Sequence, residues 1–264
     1  MAYKLIALDL DNTLLNAQKQ ITPENREAIL KAREKGIRIV LASGRAYPGI
    51  LPVKKELGLD DYVVSCGGAQ ILNPQGDVIH SVYLPPIAAK QVMRWAALRG
   101  VHFQIYLDDG LYYLKRNQYS DYYEKICSYG GEPNPDLMDI ETVLTAKIVL
   151  IDDEDKLKEY ARELRITFPE FLFTKAQTGL LEVMNPEATK ESAIAFIAGK
   201  LGIEQQQVIA IGDNSIDAGM IAYAGLGVAM GNAPEELKKN ANYVCGTCEQ
   251  SGVAEVIDKY ILGV

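Results

Sequence analysis

The strongest constraint on the fold is the alternation of short apolar runs with helix-like stretches through the first eighty residues. Residues 4–8, 37–42 and 62–65 are strand-like runs with the continuous apolar character expected of strands buried on both faces of a parallel sheet. Between them, Thr22 and Pro23 begin a predicted helix that ends at Gly36, and a second helix lies around residues 50–57. This β-α-β-α-β order predicts a doubly wound, mainly parallel, Rossmann-like sheet.

The same pattern returns near the C-terminus, but the middle of the chain differs. Strands are predicted at 208–211, 226–229 and 243–245, with helices at 191–201, 218–224, 234–240 and 253–260. The middle instead has alternating strands at 103–107 and 111–114, joined by the hairpin signal Asp108-Asp109-Gly110. We therefore predict a discontinuous core, residues 1–83 and 187–264, with an inserted α+β domain at residues 84–186.

Polar side chains follow three of the predicted core strands. The first strand ends in Asp9-Leu10-Asp11-Asn12-Thr13, the second in Ser43-Gly44-Arg45, and a late strand in Gly212-Asp213-Asn214. One aspartate after a strand is usually a helix N-cap, but three polar sets at equivalent strand ends favour a site. In an open α/β sheet, ligands bind in the crevice at the carboxyl ends of the strands.

The carboxylates among these residues favour a metal site. Asp9 and Asp11 are two positions apart, so in an extended strand end both project toward the same space and repel unless a cation is present. Asp213 would be a third oxygen donor. Such a hard oxygen donor set suits Mg²⁺ better than zinc, which prefers Cys or His.

These motifs resemble those of the haloacid dehalogenase superfamily. Residues 9–13 match its D-x-D-x-T signature, Ser43-Gly44-Arg45 its second motif, Lys190 its third and residues 212–217 its fourth. The length, the place of the insertion and Gly252-Val253-Ala254 resemble the Cof-type branch of sugar-phosphate phosphatases. The resemblance covers the whole chain, and it implies hydrolysis of a small phosphorylated metabolite with Mg²⁺ as cofactor.

The resemblance also implies roles for the carboxylates. Asp9 would attack phosphorus, become an aspartyl-phosphate and bind the metal. Asp11 would protonate the leaving group, then activate the hydrolytic water, while its backbone carbonyl binds the metal. Asp213 would be a direct metal ligand.

Further roles fall on the other motifs. Ser43 and Gly44 would bind the phosphoryl group, and Lys190 would neutralise charge on both the phosphate and Asp9. For Lys190 and Asp217, ordinary surface charges on helices remain the alternative. Three residues would support the site from behind: Thr13, Asn214 and Asp217.

The chain departs from the family pattern at four positions. The family commonly has Gly at Asn12 and Gly at Glu191, and Asn at both Gly67 and Ile216. Asn12 can adopt the same left-handed backbone as Gly. The loss of two amide side chains leaves fewer hydrogen bonds around phosphate and Lys190. We therefore expect weaker or differently selective turnover.

Composition narrows the partners. A formal net charge of -8 argues against nucleic acid, and no apolar run is long enough to span a membrane. Four cysteines are too few for a disulfide framework, which fits a cytoplasmic protein. We expect a monomer or a homodimer.

Three alternatives stay open to different degrees. A partly degenerate family member would bind a phosphorylated ligand with little turnover, as Gly67 and Ile216 suggest. A phosphomutase would use the same aspartyl-phosphate and pass it to a sugar. A dinucleotide-binding oxidoreductase is remote, because no G-x-G-x-x-G follows the first strand.

Overall fold

The structure is a computed structural model, and it describes residues 2–264 in two compact units. The core unit runs to Gly44 and also contains Ile50–Ile79 and Thr189–Val264. The inserted unit contains Arg45–Gly49 and His80–Ala188. Compactness alone does not define a catalytic core and a cap, so the functional division at residues 84–186 stays a prediction.

An eight-stranded sheet runs through the core unit. Its strands are β1 (Leu5–Leu8), β2 (Arg38–Ala42), β3 (Val63–Ser65), β4 (Gln70–Leu72), β5 (Val78–Ser81), β12 (Val208–Gly212), β13 (Leu226–Ala229) and β14 (Tyr243–Val244). Their spatial order is β14-β13-β12-β1-β2-β3-β4-β5, where β5 leads into the inserted unit. All pairs from β14 to β3 are parallel, and β4 runs antiparallel to β3. The predicted parallel core sheet is confirmed.

Helices follow the core strands, as the alternating pattern predicted. They are α1 (Pro23–Glu34), α2 (Tyr47–Glu56, in the core unit from Ile50), α6 (Lys190–Leu201), α7 (Ala218–Tyr223), α8 (Glu235–Asn240) and α9 (Gly252–Ile257). Thr22 caps α1 through its side chain, which accepts from the Asn25 amide at 3.3 Å. The predicted last helix is shorter than expected, because a π-helical turn at Asp258–Leu262 follows α9.

Both faces of the core sheet are covered. On one face, Leu5 and Ala7 of β1 pack with Ala193 and Ile197 of α6. Ile6 and Leu8 point to the opposite face, because side chains alternate along a strand, and they are fully buried too. Burial on both faces explains why β1 is apolar at every position.

The inserted unit contains a six-stranded sheet and α-helices. Its elements are β6 (His102–Tyr106), β7 (Leu111–Tyr113), β8 (Glu132–Pro133), β9 (Lys147–Ile151), β10 (Leu172–Gln177), β11 (Leu180–Met184), α3 (Pro86–Leu98), α4 (Gln118–Cys127) and α5 (Glu154–Thr167). The spatial order of the strands is β10-β11-β9-β6-β7-β8. The predicted hairpin is confirmed, since β6 pairs antiparallel with β7. Apart from the parallel β7–β8 pair, this sheet is antiparallel, which is the α+β character expected of the insertion.

No helix within residues 2–264 combines the length and the apolar character needed to cross a membrane.

Candidate active site

The three polar strand ends lie next to one another in the core sheet. Strand β1 has β12 on one side and β2 on the other, in parallel register. Leu8 is level with both Ile211 and Leu41, so the residues just beyond these strands share one edge of the sheet. Asp9 follows β1 there and is only 6% exposed. This edge is the crevice in which an α/β sheet of this type binds ligands.

Lys190 reaches into the same edge from the first residue of α6. Thr189 caps that helix by accepting the Ser192 amide on its side chain. The Lys190 side chain is 1% exposed, and its Nζ lies 2.5 Å from Oδ1 of Asp9 and 2.5 Å from Oδ1 of Asp217. A buried ammonium is costly unless it is paired, and these two carboxylates supply the pairing. The alternative that Lys190 is a surface charge is wrong.

Asp217 links Lys190 to the end of β12. It lies in a 3₁₀ turn, Ser215–Asp217, and its side chain is fully buried. While Oδ1 accepts from Lys190, Oδ2 accepts from the backbone amides of Asp213 at 3.1 Å and Asn214 at 2.9 Å. Asp217 therefore fixes both the ammonium and the backbone that carries Asp213. It is not a surface charge either.

Gly68 is a positioning residue that the sequence did not single out. It follows Gly67 in a turn after β3, where Cys66, Gly67 and Gly68 all have positive φ. A methyl group added at Gly68 would lie 2.2 Å from the Thr189 carbonyl oxygen. Only a residue without a side chain lets this turn approach the start of α6 so closely, at φ +112°. The adjacent glycines in the sequence were the available signal.

Thr13 and Asn12 shape the loop after Asp9. The Thr13 hydroxyl donates to Oδ1 of Asp213 at 3.0 Å, so it orients that carboxylate. Asn12 has φ 60°, which is the left-handed conformation expected at this position, where the family pattern commonly has Gly. Its carbonyl accepts from the Asn232 side chain at 2.8 Å. The loop is thus held by groups from the C-terminal half of the core unit.

The other predicted site residues lie around this cluster. Ser43 is 1% exposed directly after β2, and Gly44 follows it. The Asn214 side chain forms a capping box with Asp217 and also accepts from Ser215. The Asp11 carboxylate is not part of the buried cluster. It is 31% exposed and lies 2.6 Å from Nζ of Lys19.

The buried carboxylates offer a site for a divalent cation. Among the described residues, Asp9, Asp213 and Asp217 each present an oxygen, and these oxygens lie within 4.8 Å of one another. All the donors are carboxylate oxygens, which fits Mg²⁺. Because both Asp217 oxygens already accept hydrogen bonds, Asp9 and Asp213 are better placed to hold an ion, and the metal site expected at Asp9, Asp11 and Asp213 stays a prediction. Asp217 was not expected in this set, and it fits better as their support.

The pKa values of the clustered side chains also favour a cation site. Burial, with the negative charges of Asp217 and Asp213, raises the pKa of Asp9 to about 8 despite Lys190. Burial and the Asp217 charge likewise raise the pKa of Asp213 to about 6. Burial opposes the charged form of Lys190, but the two carboxylates hold its pKa above the usual value. The site has more negative charge than Lys190 neutralises, so it favours a further cation.

The fold and this site define a class of protein, an α/β enzyme with a carboxylate cluster at the carboxyl ends of parallel strands. The sequence profile of haloacid dehalogenase-like hydrolases matches residues 6–257. The chain therefore belongs to the haloacid dehalogenase-like hydrolases.

Several proteins are similar to this chain over nearly its whole length. A 5-amino-6-(5-phospho-D-ribitylamino)uracil phosphatase of Bacillus subtilis is 31% identical over 98% of this chain and 96% of its own length. A pyridoxal phosphate phosphatase of Escherichia coli is 25% identical over 99% of this chain and all of its own length. A haloacid dehalogenase-like hydrolase from Bacteroides thetaiotaomicron has a similar structure, with a TM-score of 0.90, 32% identity and coverage of 97% and 99% of the two chains.

Proposed function

We propose that this protein is a Mg²⁺-dependent phosphatase that hydrolyses a small organic phosphate monoester through an aspartyl-phosphate on Asp9. The observation that carries the proposal is the buried contact of Asp9 with Lys190, beside Asp213, at the carboxyl end of β1. Relatives named as phosphatases of small phosphorylated metabolites support the substrate class.

In the first step, an Asp9 carboxylate oxygen attacks phosphorus, and the bond from phosphorus to the leaving oxygen breaks. Asp11 gives its proton to that oxygen, so the product leaves as a neutral alcohol. Lys190, fixed between Asp9 and Asp217, neutralises charge that develops on the phosphoryl oxygens. Ser43 and the Gly44 amide donate hydrogen bonds to the same oxygens.

In the second step, Asp11 takes a proton from water as the water oxygen attacks phosphorus. The bond between phosphorus and Asp9 breaks, which releases inorganic phosphate and restores the carboxylate. Asp9 must be ionised to attack, although its pKa is about 8 in the ion-free site. Mg²⁺ bound by Asp9, Asp213 and the Asp11 carbonyl would supply positive charge that favours the ionised Asp9 and neutralises the phosphate. Thr13, Asn214 and Asp217 hold these ligands in place.

We further propose that residues 84–186 act as a cap that selects the leaving group. This role follows from the family, in which an insertion at this place covers the reaction, and from the independent sheet of the inserted unit.

The experiment is release of inorganic phosphate from p-nitrophenyl phosphate with and without Mg²⁺. We expect Asp9→Asn to lose the Mg²⁺-dependent release. The matched control is Asp60→Asn, which removes an exposed carboxylate paired with Arg33 and should keep full activity. Release by Asp9→Asn at the rate of the unmodified protein would exclude Asp9 as the nucleophile. No release from a broad panel of sugar and nucleotide phosphates would favour the ligand-binding alternative, and transfer to a sugar without free phosphate would favour a phosphomutase.

A further inference from the structure

Ile216 is an exposed apolar side chain within the most polar part of the core unit. It lies in the turn Ser215–Asp217, directly after Asp213 and Asn214, yet it is 50% exposed. One exposed isoleucine on a protein surface needs no explanation. An isoleucine in this turn does, because its neighbours in sequence on both sides are hydrogen-bonded polar residues.

The turn fixes the direction of the Ile216 side chain. Asn214, which precedes the turn, and Asp217, which ends it, hold each other in a capping box. The Asn214 side chain accepts from the backbone amide of Asp217, and the Asp217 side chain accepts from the backbone amide of Asn214 at 2.9 Å. Asp217 is fully buried against Lys190, so its side chain occupies the inward position. Ile216, one residue earlier in the same turn, is left on the outside.

Ile216 lies beside Gly44, one of the two proposed phosphate-binding residues. The Cδ1 atom of Ile216 lies 4.0 Å from the position that a Cβ atom would take on Gly44. Gly44 follows the buried Ser43 at the end of β2. If Gly44 binds the phosphoryl group as proposed, the apolar side chain borders that group and the part of the substrate attached to it.

We propose that Ile216 is a specificity-determining residue that contacts the leaving group and favours esters with an alkyl or aromatic skeleton beside the phosphate. This inference rests on the proposed function, because it concerns the substrate of the same site. A polyhydroxylated leaving group would bring hydroxyls against a side chain that cannot hydrogen-bond, and their lost hydration would oppose binding. An apolar group in the same place would gain contact with Ile216 instead.

The test compares two primary alkyl phosphates with similar leaving oxygens, benzyl phosphate and glucose 6-phosphate. The readout is the ratio of their kcat/KM values, measured as free phosphate with Mg²⁺ present. A ratio is independent of the fraction of protein that is folded, so a loss of stability does not affect it. We expect the unmodified chain to prefer benzyl phosphate by roughly tenfold, which is the scale of a small apolar contact in a substrate site.

Three variants complete the test. Ile216→Asn should bring the ratio to about one, since an amide can serve hydroxyls, and Ile216→Val should keep most of the preference. Leu30→Asn is the control, because it makes the same kind of change at a partly exposed side chain of α1 and should leave the ratio unaltered.

Each result decides something different. A ratio that Ile216→Asn leaves unchanged, with phosphate still released, would overturn the inference and leave the proposed function standing. An equal fall in the ratio for Leu30→Asn would overturn it as well. Absence of release from either ester by the unmodified chain would count against the proposed function itself, and the inference would fall with it.

Discussion

Replacement of Lys190 by Met removes the ammonium that is bonded to both Asp9 and Asp217. The three side chains are 1%, 9% and 0% exposed, so water cannot take its place. Asp9 holds a proton at pH 7 in the metal-free protein, because its pKa is about 8, and Asp217 is left with the unpaired charge. Removing one partner of a buried ion pair leaves an uncompensated charge, so we expect Lys190→Met to lower the free energy of unfolding by about 3–5 kcal/mol.

A double variant separates the unpaired charge from the loss of the lysine side chain itself. Lys190→Met combined with Asp217→Asn should recover much of the stability, since no buried charge remains unpaired. The control is Lys31→Met. It removes an exposed pair with Glu27 on α1 and should leave stability within experimental error.

The assay must report on the core unit. The single tryptophan, Trp95, lies in the inserted unit, so its fluorescence would follow the wrong part of the chain. Hydrogen exchange of the β1 and β12 amides, in buffer with a chelator, measures the relevant opening free energy. A loss below about 1 kcal/mol, or an equal loss in the double variant that also carries Asp217→Asn, would refute the account of Lys190 as a buried counter-ion.

Three other changes have expected outcomes. Gly68→Ala should lower activity at least tenfold and destabilise the core unit by about 2 kcal/mol or more. The reason is that φ at Gly68 is +112° and the new methyl group would lie 2.2 Å from the Thr189 carbonyl oxygen. An unchanged kcat would contradict this prediction. Mg²⁺ should bind more tightly as the pH rises from 6 to 8, because it displaces protons from Asp9 (pKa about 8) and Asp213 (pKa about 6). Calorimetry that shows a pH-independent affinity would count against Asp9 and Asp213 as the ligands. Burial lowers the pKa of His102 from 6.5 to about 4, so the unfolded chain binds the extra proton first as the pH drops. The free energy of unfolding should therefore fall by about 3 kcal/mol between pH 6.5 and pH 4. Acid unfolding curves of His102→Gln should lack that fall.

The sequence predicts most of the core because its signals are local. Continuous apolar runs identify β1 and β12, and Thr22 with Pro23 marks the start of α1. The polar residues that follow β1, β2 and β12 become neighbours only because parallel strands end at one edge, a rule that needs no coordinates. Boundaries differ by one to three residues. For example, α6 begins at Lys190 itself rather than at Glu191.

Contacts between residues that are far apart along the chain could not be predicted from the sequence. Nothing in the sequence shows that Asp217 divides its two oxygens between Lys190 and the amides after β12, because that depends on the exact turn. The approach of Gly68 to Thr189 joins two segments that are far apart along the chain. In the inserted unit, the hydroxyls of Tyr106, Tyr123 and Tyr129 form a chain with links of 2.6 and 2.8 Å, which no local sequence pattern indicates.

The most direct test of the central claim is to trap the covalent intermediate. A single turnover with Mg²⁺ and excess enzyme, stopped in acid, should leave one phosphoryl group on the peptide that contains Asp9, detected by mass spectrometry. Asp9→Asn should give no such adduct, while Asp60→Asn should give as much as the unmodified protein. Phosphate release with no adduct on Asp9, or with an adduct on another residue, would contradict an aspartyl-phosphate at this position.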